Sequence, residues 1–222
     1  SDGSLWTWGD NNYGQLGIGE TDENIISEPV KVMENVIDVS CGSSDTTAAV
    51  TADGVLWAWG APVRQLGIGS EDLAPVQEPV QVMEDVLNVE SGPDTMAAIA
   101  ADGTLWMWGI NDRGQIGQGD GSPNYYFAPT KVMEDITYVA CSGRTTAAIQ
   151  ADGTAWAWGD NIYAQLGTGD RIQSFVPVEM QFATGDPDLS PWVDPEPSAE
   201  PAPEEPEAEE LPDVTEEPEE PE

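Results

Sequence analysis

A repeat of about 50 residues is the feature that most limits how this chain can fold. Pro29, Pro79 and Pro129 are 50 apart, as are Met33, Met83 and Met133, and so are Gln15, Gln65, Gln115 and Gln165. Gly3, Gly54, Gly103 and Gly153 are spaced 51, 49 and 50, so single-residue insertions fall between the anchors and mark loops. Each unit reads Asp-Gly, an apolar stretch with two Trp ending in Trp-Gly, a polar turn, Gln-(Leu/Ile)-Gly, a variable stretch, Pro-(Val/Thr)-x-Val-Met-Glu, and a small-residue run such as TTAAV. The pairs Trp6/Trp8, Trp57/Trp59, Trp106/Trp108 and Trp156/Trp158 sit at i and i+2, which puts both rings on one face of an extended strand. PVKVM and PVQVM alternate in the same way, and Asp-Gly between TTAAVTA and VLWAW is a hairpin signal. The unit is therefore expected to be an antiparallel sheet of about four short strands, the scale of a propeller blade. Such a sheet buries its faces only against its neighbours, and the paired Trp, each covering roughly 150–250 Å², are the expected glue.

WGDNNYGQLGIG (Trp8 to Gly19), WGINDRGQIGQG (Trp108 to Gly119) and WGDNIYAQLGTG (Trp158 to Gly169), each preceded by Asp-Gly, resemble the regulator of chromosome condensation repeat family over about residues 1–183. The resemblance implies an all-β propeller, and the best known members have seven blades. Two departures stand out. Where the family carries His before the Asp-Gly turn, this chain has Asp45, Asp94 and Arg144. The Gly preceding Gln-Leu-Gly is present as Gly14 and Gly114 but is replaced by Arg64 and Ala164, which predicts that the position does not need positive φ. Gly17, Gly67, Gly117 and Gly167 recur without exception, which predicts a left-handed backbone or a close approach there.

Seven blades need about 350 residues. Residues 1–184 hold four Trp-Gly halves and only three complete VxCG-to-Asp-Gly halves, so the fold class is an incomplete β-propeller of about four blades. A fragment of a larger ring, a four-bladed ring and an open arc completed by dimerisation all fit that count. The fragment is favoured, because an open arc exposes strand edges and an apolar face through which copies would self-associate.

Charge divides the chain a second way. Its 222 residues include 6 Lys+Arg, 42 Asp+Glu and no His, a formal net charge of −36. Residues 185–222 contribute 16 acids, no base and 10 of the 18 prolines, the composition of a disordered Pro/Glu-rich linker or stalk. Without His there is no Ser-His or Cys-His pair, no His-ligated zinc and no imidazole titrating near neutrality. A surface this acidic repels phosphate backbones and anionic lipid, so neither nucleic acid nor a membrane is an expected partner. No apolar run approaches 18 residues, and no Walker loop or dinucleotide fingerprint occurs.

Cys41 and Cys141 occupy equivalent positions two repeats apart and are read as buried free thiols. The recurring Asp and Asn of the turns are read as backbone hydrogen-bonding groups; no DxDxDG calcium loop is present, and no cofactor or metal is expected. The aromatics outside the repeated Trp, namely Tyr13, Tyr163, Tyr125, Tyr126 and Phe127, with Arg113, are the candidate partner-binding residues. The expected function is a non-enzymatic module that presents propeller loops to an unidentified protein. The acidic, Lys-poor composition suggests a secreted or bacterial surface protein. The alternatives are a guanine-nucleotide exchange regulator of a small GTPase, implied by the resemblance alone, and a calcium-dependent carbohydrate-binding module.

Overall fold

The computed structural model describes residues 2–42, 45–61, 65–71, 74–120 and 122–181. The chain divides into two units, Ser1–Phe182 and Ala183–Glu222, and the described residues all belong to the first. The predicted stalk at 185–222 and Arg64 lie outside the described residues.

The described residues form strands only, in consecutive antiparallel sheets. Strands β1 (Leu5–Asn11) and β2 (Asp22–Met33) pair with each other alone. The first complete sheet runs β3 (Val36–Gly42), β4 (Thr46–Thr51), β5 (Leu56–Gly60) and β6 (Val76–Met83). The second is β7 (Val86–Ser91), β8 (Thr95–Ala100), β9 (Leu105–Ile110) and β10 (Tyr125–Met133). The third is β11 (Ile136–Ser142), β12 (Thr145–Gln150), β13 (Ala155–Gly159) and β14 (Ser174–Glu179). Three blades and a two-stranded half thus make up the expected incomplete propeller.

The blade boundary falls between Met-Glu and the next Val or Ile, not at Asp-Gly. Asp53-Gly54, Asp102-Gly103 and Asp152-Gly153 each form the hairpin joining the second and third strands of one sheet, as at Thr51–Val55, where the Gly54 N–H donates to the Thr51 carbonyl at 2.8 Å. The 50-residue unit counted from Asp-Gly therefore straddles two blades. Register explains the composition of the second strand. Trp57 lies opposite Ala49, Trp106 opposite Ala98 and Trp156 opposite Ala148, and these small partners leave room on that face for indole rings.

Each complete sheet has two unlike faces. One carries the Trp pair; the other is smooth, formed by Ala48, Val50, Leu56 and Ala58 in the first blade and by Ala97, Ile99, Leu105 and Met107 in the second. The smooth face of each blade packs against the Trp face of the next, giving one core with Trp108 and Trp106 and another with Trp158 and Trp156. First strands meet along the same side of the stack: β3 and β4 lie against β7, and β7 and β8 against β11. Asp38 adds polar links there, accepting the Val89 N–H at 2.9 Å and the Asn88 side-chain amide at 2.7 Å.

Candidate interaction rim

The Trp-Gly strand ends in a loop whose shape is set by three recurring residues. Asn11, Asn111 and Asn161 are buried, and their Oδ1 atoms accept the N–H of Leu16, Ile116 and Leu166 at 3.0, 2.9 and 2.9 Å. Their Nδ2 groups donate across the same loop, Asn11 to the Glu20 carbonyl at 2.8 Å and Asn111 to the Pro123 carbonyl at 3.2 Å. The recurring Gln supplies the second brace. Its Oε1 accepts the N–H of Tyr13 at 2.9 Å, of Arg113 at 2.8 Å and of Tyr163 at 2.9 Å. A buried amide thus clamps the loop from inside, and the Gln holds the residue two positions before it.

The third element is a left-handed residue before the Gln. Gly14 (φ 75°), Gly114 (φ 78°) and Ala164 (φ 61°) all adopt positive φ. The expectation that this position tolerates ordinary φ is thereby corrected: Ala164 keeps the conformation at a steric cost, because the hydrogen bonds on either side demand it. Repeat two departs further. Trp59 is six residues from Gln65, against seven in the other repeats, no Asn follows its Trp-Gly, and among the described residues the buried Gln65 Oε1 finds no partner.

The clamped loops carry three of the six sequence-nominated partner residues, at equivalent positions and pointing outward. Arg113 is exposed, as are Tyr13 and Tyr163, the latter at 83%. Carboxylates flank them: Asp10 accepts from Asn12 and Gln15, and Asp112 accepts from Gln115 and lies 3.9 Å from Arg144. Arg144, which stands where the family has His, therefore joins the same rim, a role the sequence reading did not assign. Tyr125, Tyr126 and Phe127 are placed elsewhere. They lie half-buried on β10, Tyr126 packs against both blade–blade cores, and the rings of Tyr125 and Phe127 are 6.4 Å apart. The structure does not bring these three into one cluster with the loop residues.

Beneath the rim, the same Gln closes the joint between blades through its backbone. Trp59 Nε1 donates to the Gln15 carbonyl at 3.0 Å, Trp108 Nε1 to Gln65 at 2.5 Å and Trp158 Nε1 to Gln115 at 2.9 Å. The Thr47 and Thr146 hydroxyls add a second donor to the Gln15 and Gln115 carbonyls, both at 2.8 Å. Two residues later stands the invariant Gly. Gly17 has φ 73°, and a Cβ there would sit 2.6 Å from Trp59 Nε1; Gly67 has φ 74°, with 2.7 Å to Trp108 Nε1. A further tie runs from the Gly19, Gly69 and Gly119 N–H groups to the Gln77, Phe127 and Phe175 carbonyls of the following blade, at 2.9, 2.8 and 2.8 Å.

At the opposite end of the sheets, the Asp-Gly turns are hydrogen-bonded as the sequence implies. Asp2, Asp102 and Asp152 accept the N–H of Ser4, Thr104 and Thr154 at 3.0, 2.9 and 2.9 Å, which holds these carboxyls below the usual range. The thiols differ from expectation. Both are free, but only Cys141 is buried, and burial pushes it up to about 12. Cys41, on β3, is exposed. Among the described residues no group of three His, Cys, Asp or Glu is placed to hold a metal ion.

Stacked four-stranded sheets, with an Asn-clamped loop after three of the four Trp-Gly strands, define a β-propeller repeat protein. The chain belongs to the family described as Regulator of chromosome condensation (RCC1) repeat, whose pattern matches residues 2–49, 102–149 and 152–194, with a second pattern of the same description at 36–63 and 86–115. Human WBSCR16 superposes with a TM-score of 0.68 at 25% identity, covering 82% of this chain and 49% of that one. Yeast RCC1 (Prp20), solved bound to Kap60, gives 0.68 at 23% identity, covering 82% and 45%. Among curated proteins, the chain is 46% identical over 63 residues to the human E3 ubiquitin-protein ligase HERC2 and 37% identical over 60 residues to the Arabidopsis thaliana ultraviolet-B receptor UVR8. Those stretches make up 27% of this chain in each case, and 1% and 14% of the respective relatives.

Proposed function

We propose that this chain is a non-enzymatic protein-interaction module whose contact surface is the clamped-loop rim, with Tyr13, Arg113, Tyr163 and Arg144 as the residues that touch the partner. One observation carries the reading. Three equivalent backbone positions are held by the same Gln brace at 2.8–2.9 Å, yet they present different side chains, Tyr, Arg and Tyr. A rigid scaffold with variable tips is how repeat proteins build specificity, since little entropy is lost when the tips are bound. Tyrosine and arginine are also the residues that most often dominate protein interfaces. The chain's formal charge of −36 favours a partner with a basic surface. The yeast relative Prp20p is described with binding properties to Gsp1p and histones, which makes a protein ligand the natural class to test here. The same acidic, Lys-poor composition supports a secreted or bacterial surface setting.

The test is site-specific crosslinking. A photoreactive residue at 163 is expected to capture a partner protein from the native source, and the same residue at 103, on the opposite end of the sheets, is not. The triple variant Tyr13→Ala, Arg113→Ala, Tyr163→Ala should weaken binding of that partner by about a hundredfold without lowering the melting temperature. Equal capture from both ends would remove the rim as the contact surface.

A further inference from the structure

The first indole of the Trp pair meets different surroundings in different blades. In the third blade Trp156 Nε1 donates to Gln150 Oε1 at 2.8 Å, and Gln150 Nε2 donates onward to the Glu134 carbonyl at 3.2 Å. That carboxamide spans the gap between the indole on β13 and the segment where β10 passes to β11, with an acceptor and a donor both satisfied. In the first blade the equivalent residue is Thr51, which is shorter, and its hydroxyl donates to the Val55 carbonyl of its own hairpin at 3.1 Å. A cavity of about 520 Å³ stands there, bounded by Met33, Glu34 and Asn35 where β2 passes to β3, by Thr51 and Asp53 of the hairpin, and by Trp57. Trp57 Nε1 is the one buried indole N–H among the described residues that has no partner; the second blade, with Ala100 at this place, leaves none. The group that closes the third site comes from its own sheet, so the first and third sites differ by one hairpin residue and not by a neighbouring blade.

We infer that the first blade binds a primary carboxamide from outside, in the place that Gln150 fills in the third. The ligand's carbonyl oxygen accepts the Trp57 indole N–H, its amino group donates to the carbonyl of Glu34, the counterpart of Glu134, and its alkyl chain lies against Met33 and the indole. A carboxylate of the same shape has no hydrogen to donate to that carbonyl. It also meets an acidic mouth: Glu34 and Asp53 are exposed there, and Lys31 pairs with Glu34 at 2.7 Å, which leaves Asp53 to repel an anion. The site is therefore selective for the amide over the acid. Residues 185–222 contain neither Asn nor Gln, so that stretch does not supply the group. The amide is that of a free small molecule or of a Gln side chain on a bound peptide. The site lies at the opposite end of the sheets from the loop rim and does not rest on the rim's role.

The test follows the indole N–H signals of the nine Trp by NMR in the isotope-labelled full chain, with Trp57→Phe identifying one of them. Propionamide, the Gln side chain in free form, is expected to move the Trp57 signal with an affinity of about millimolar, the range open to so small a ligand. The signals of Trp59, Trp108 and Trp158, already bonded to Gln carbonyls, should stay in place. Propionate, which lacks the donor, and N,N-dimethylpropionamide, which has lost it, should each bind about tenfold more weakly or worse. N-acetylglutamine methylamide separates the two sources: binding about tenfold tighter than propionamide assigns the site to a peptide, and equal binding assigns it to a free amide. Two variants carry the decisive comparison. Thr51→Gln supplies the plug from within and should abolish the response to propionamide without lowering the melting temperature. Gln150→Thr should do the reverse and make the Trp156 signal respond as well, which keeps the proposal open to test if Thr51→Gln does not fold. The rim triple variant should bind propionamide like the unaltered chain. A Trp57 signal that propionamide leaves unmoved, an equal response to propionate, or a response that survives in Thr51→Gln overturns the proposal.

Discussion

Trp8 and Trp108 sit at the same place in the same motif, on strands with the same alternation, yet Trp8 is 60% exposed and Trp108 is 0%. The same contrast extends to β3 and to the glycine after Trp8. Val39 on β3 is 44% exposed, whereas Val89 and Val139 are 3% and 2%. Gly9 would meet nothing within 4 Å of an added Cβ, while Gly60 and Gly159 would clash with the Asp45 and Arg144 carbonyls. Trp8 lacks a facing sheet and Gly9 lacks a second strand beside it, so the contrast has two sources, the joint between sheets for the indole and the pairing within a sheet for the glycine. Strand pairing supplies the frame, and burial comes only when a second face arrives.

The largest effect expected from this contrast is in thiol chemistry. A thiol reagent at neutral pH should modify Cys41 in the native chain and leave Cys141 untouched until denaturant is added, because burial both covers Cys141 and raises it to about 12. Rapid native labelling of both cysteines would break the assignment of open and closed faces.

Mutation of the indoles comes next. Trp108→Ala should cost about 3–5 kcal/mol in denaturant unfolding, whereas Trp8→Ala, measured under monomeric conditions, should cost less than about 1 kcal/mol. Similar losses at the two sites would mean that the ring stabilises its own sheet rather than the joint.

Gly9 and Gly109 separate two costs that usually arrive together. Both have φ 112°, but a Cβ on Gly109 would lie 2.6 Å from the Asp94 carbonyl oxygen and one on Gly9 would meet nothing. Gly9→Ala should carry only the cost of a left-handed residue, about 1–2 kcal/mol. Gly109→Ala should exceed it by a further 1–3 kcal/mol, roughly the cost of overpacking. Equal melting temperatures for the two variants would leave the close approach without energetic content.

Proton effects are the smallest. The turn carboxyls of Asp2, Asp102 and Asp152 are depressed by the backbone N–H groups they accept, so their contribution is present above the ordinary carboxylate value of 3.8 and is lost as pH falls through their folded values. Asp102→Asn and Asp152→Asn should accordingly lower the melting temperature slightly at pH 6 and much less at pH 2. Glu90 has the opposite sign: burial first, and the Asp38 charge second, raise it above 4.5, so its penalty is full above its folded value and absent below 4.5. Glu90→Gln should raise the melting temperature at pH 7 and lose that gain near pH 4; a loss of stability at pH 7 would contradict this sign.

Several of these contrasts are legible in the residues alone. The period, the pairing of two Trp on one strand face and the Asp-Gly hairpins all follow from side-chain spacing, which is a local property. So does the invariant Gly of Gln-Leu-Gly, although its reason is not local: Gly17 is small because an indole 42 residues later lies against it. The rim was half visible. Tyr13, Arg113 and Tyr163 could be nominated because they vary amid constancy, whereas the Asn clamp, the Gln brace and Arg144 emerge only when the loop closes. Tyr125, Tyr126 and Phe127 looked equally prominent as a run of aromatics, and the register of β10 turned one of them into the two blade–blade cores.

What the sequence determined by itself was the unit: its length, its strands and the faces those strands present, because each depends on neighbours a few residues away. A periodic pattern is silent about where a unit starts. That blades run from Val36 to Met83 and not from Asp2, that Ala164 must accept a positive φ, and that Trp108 is buried while Trp8 is not were settled only by the stacking of sheets. The physical reason is that the joint joins a carbonyl to an indole 43 or 44 residues away, a distance at which local preference has no say.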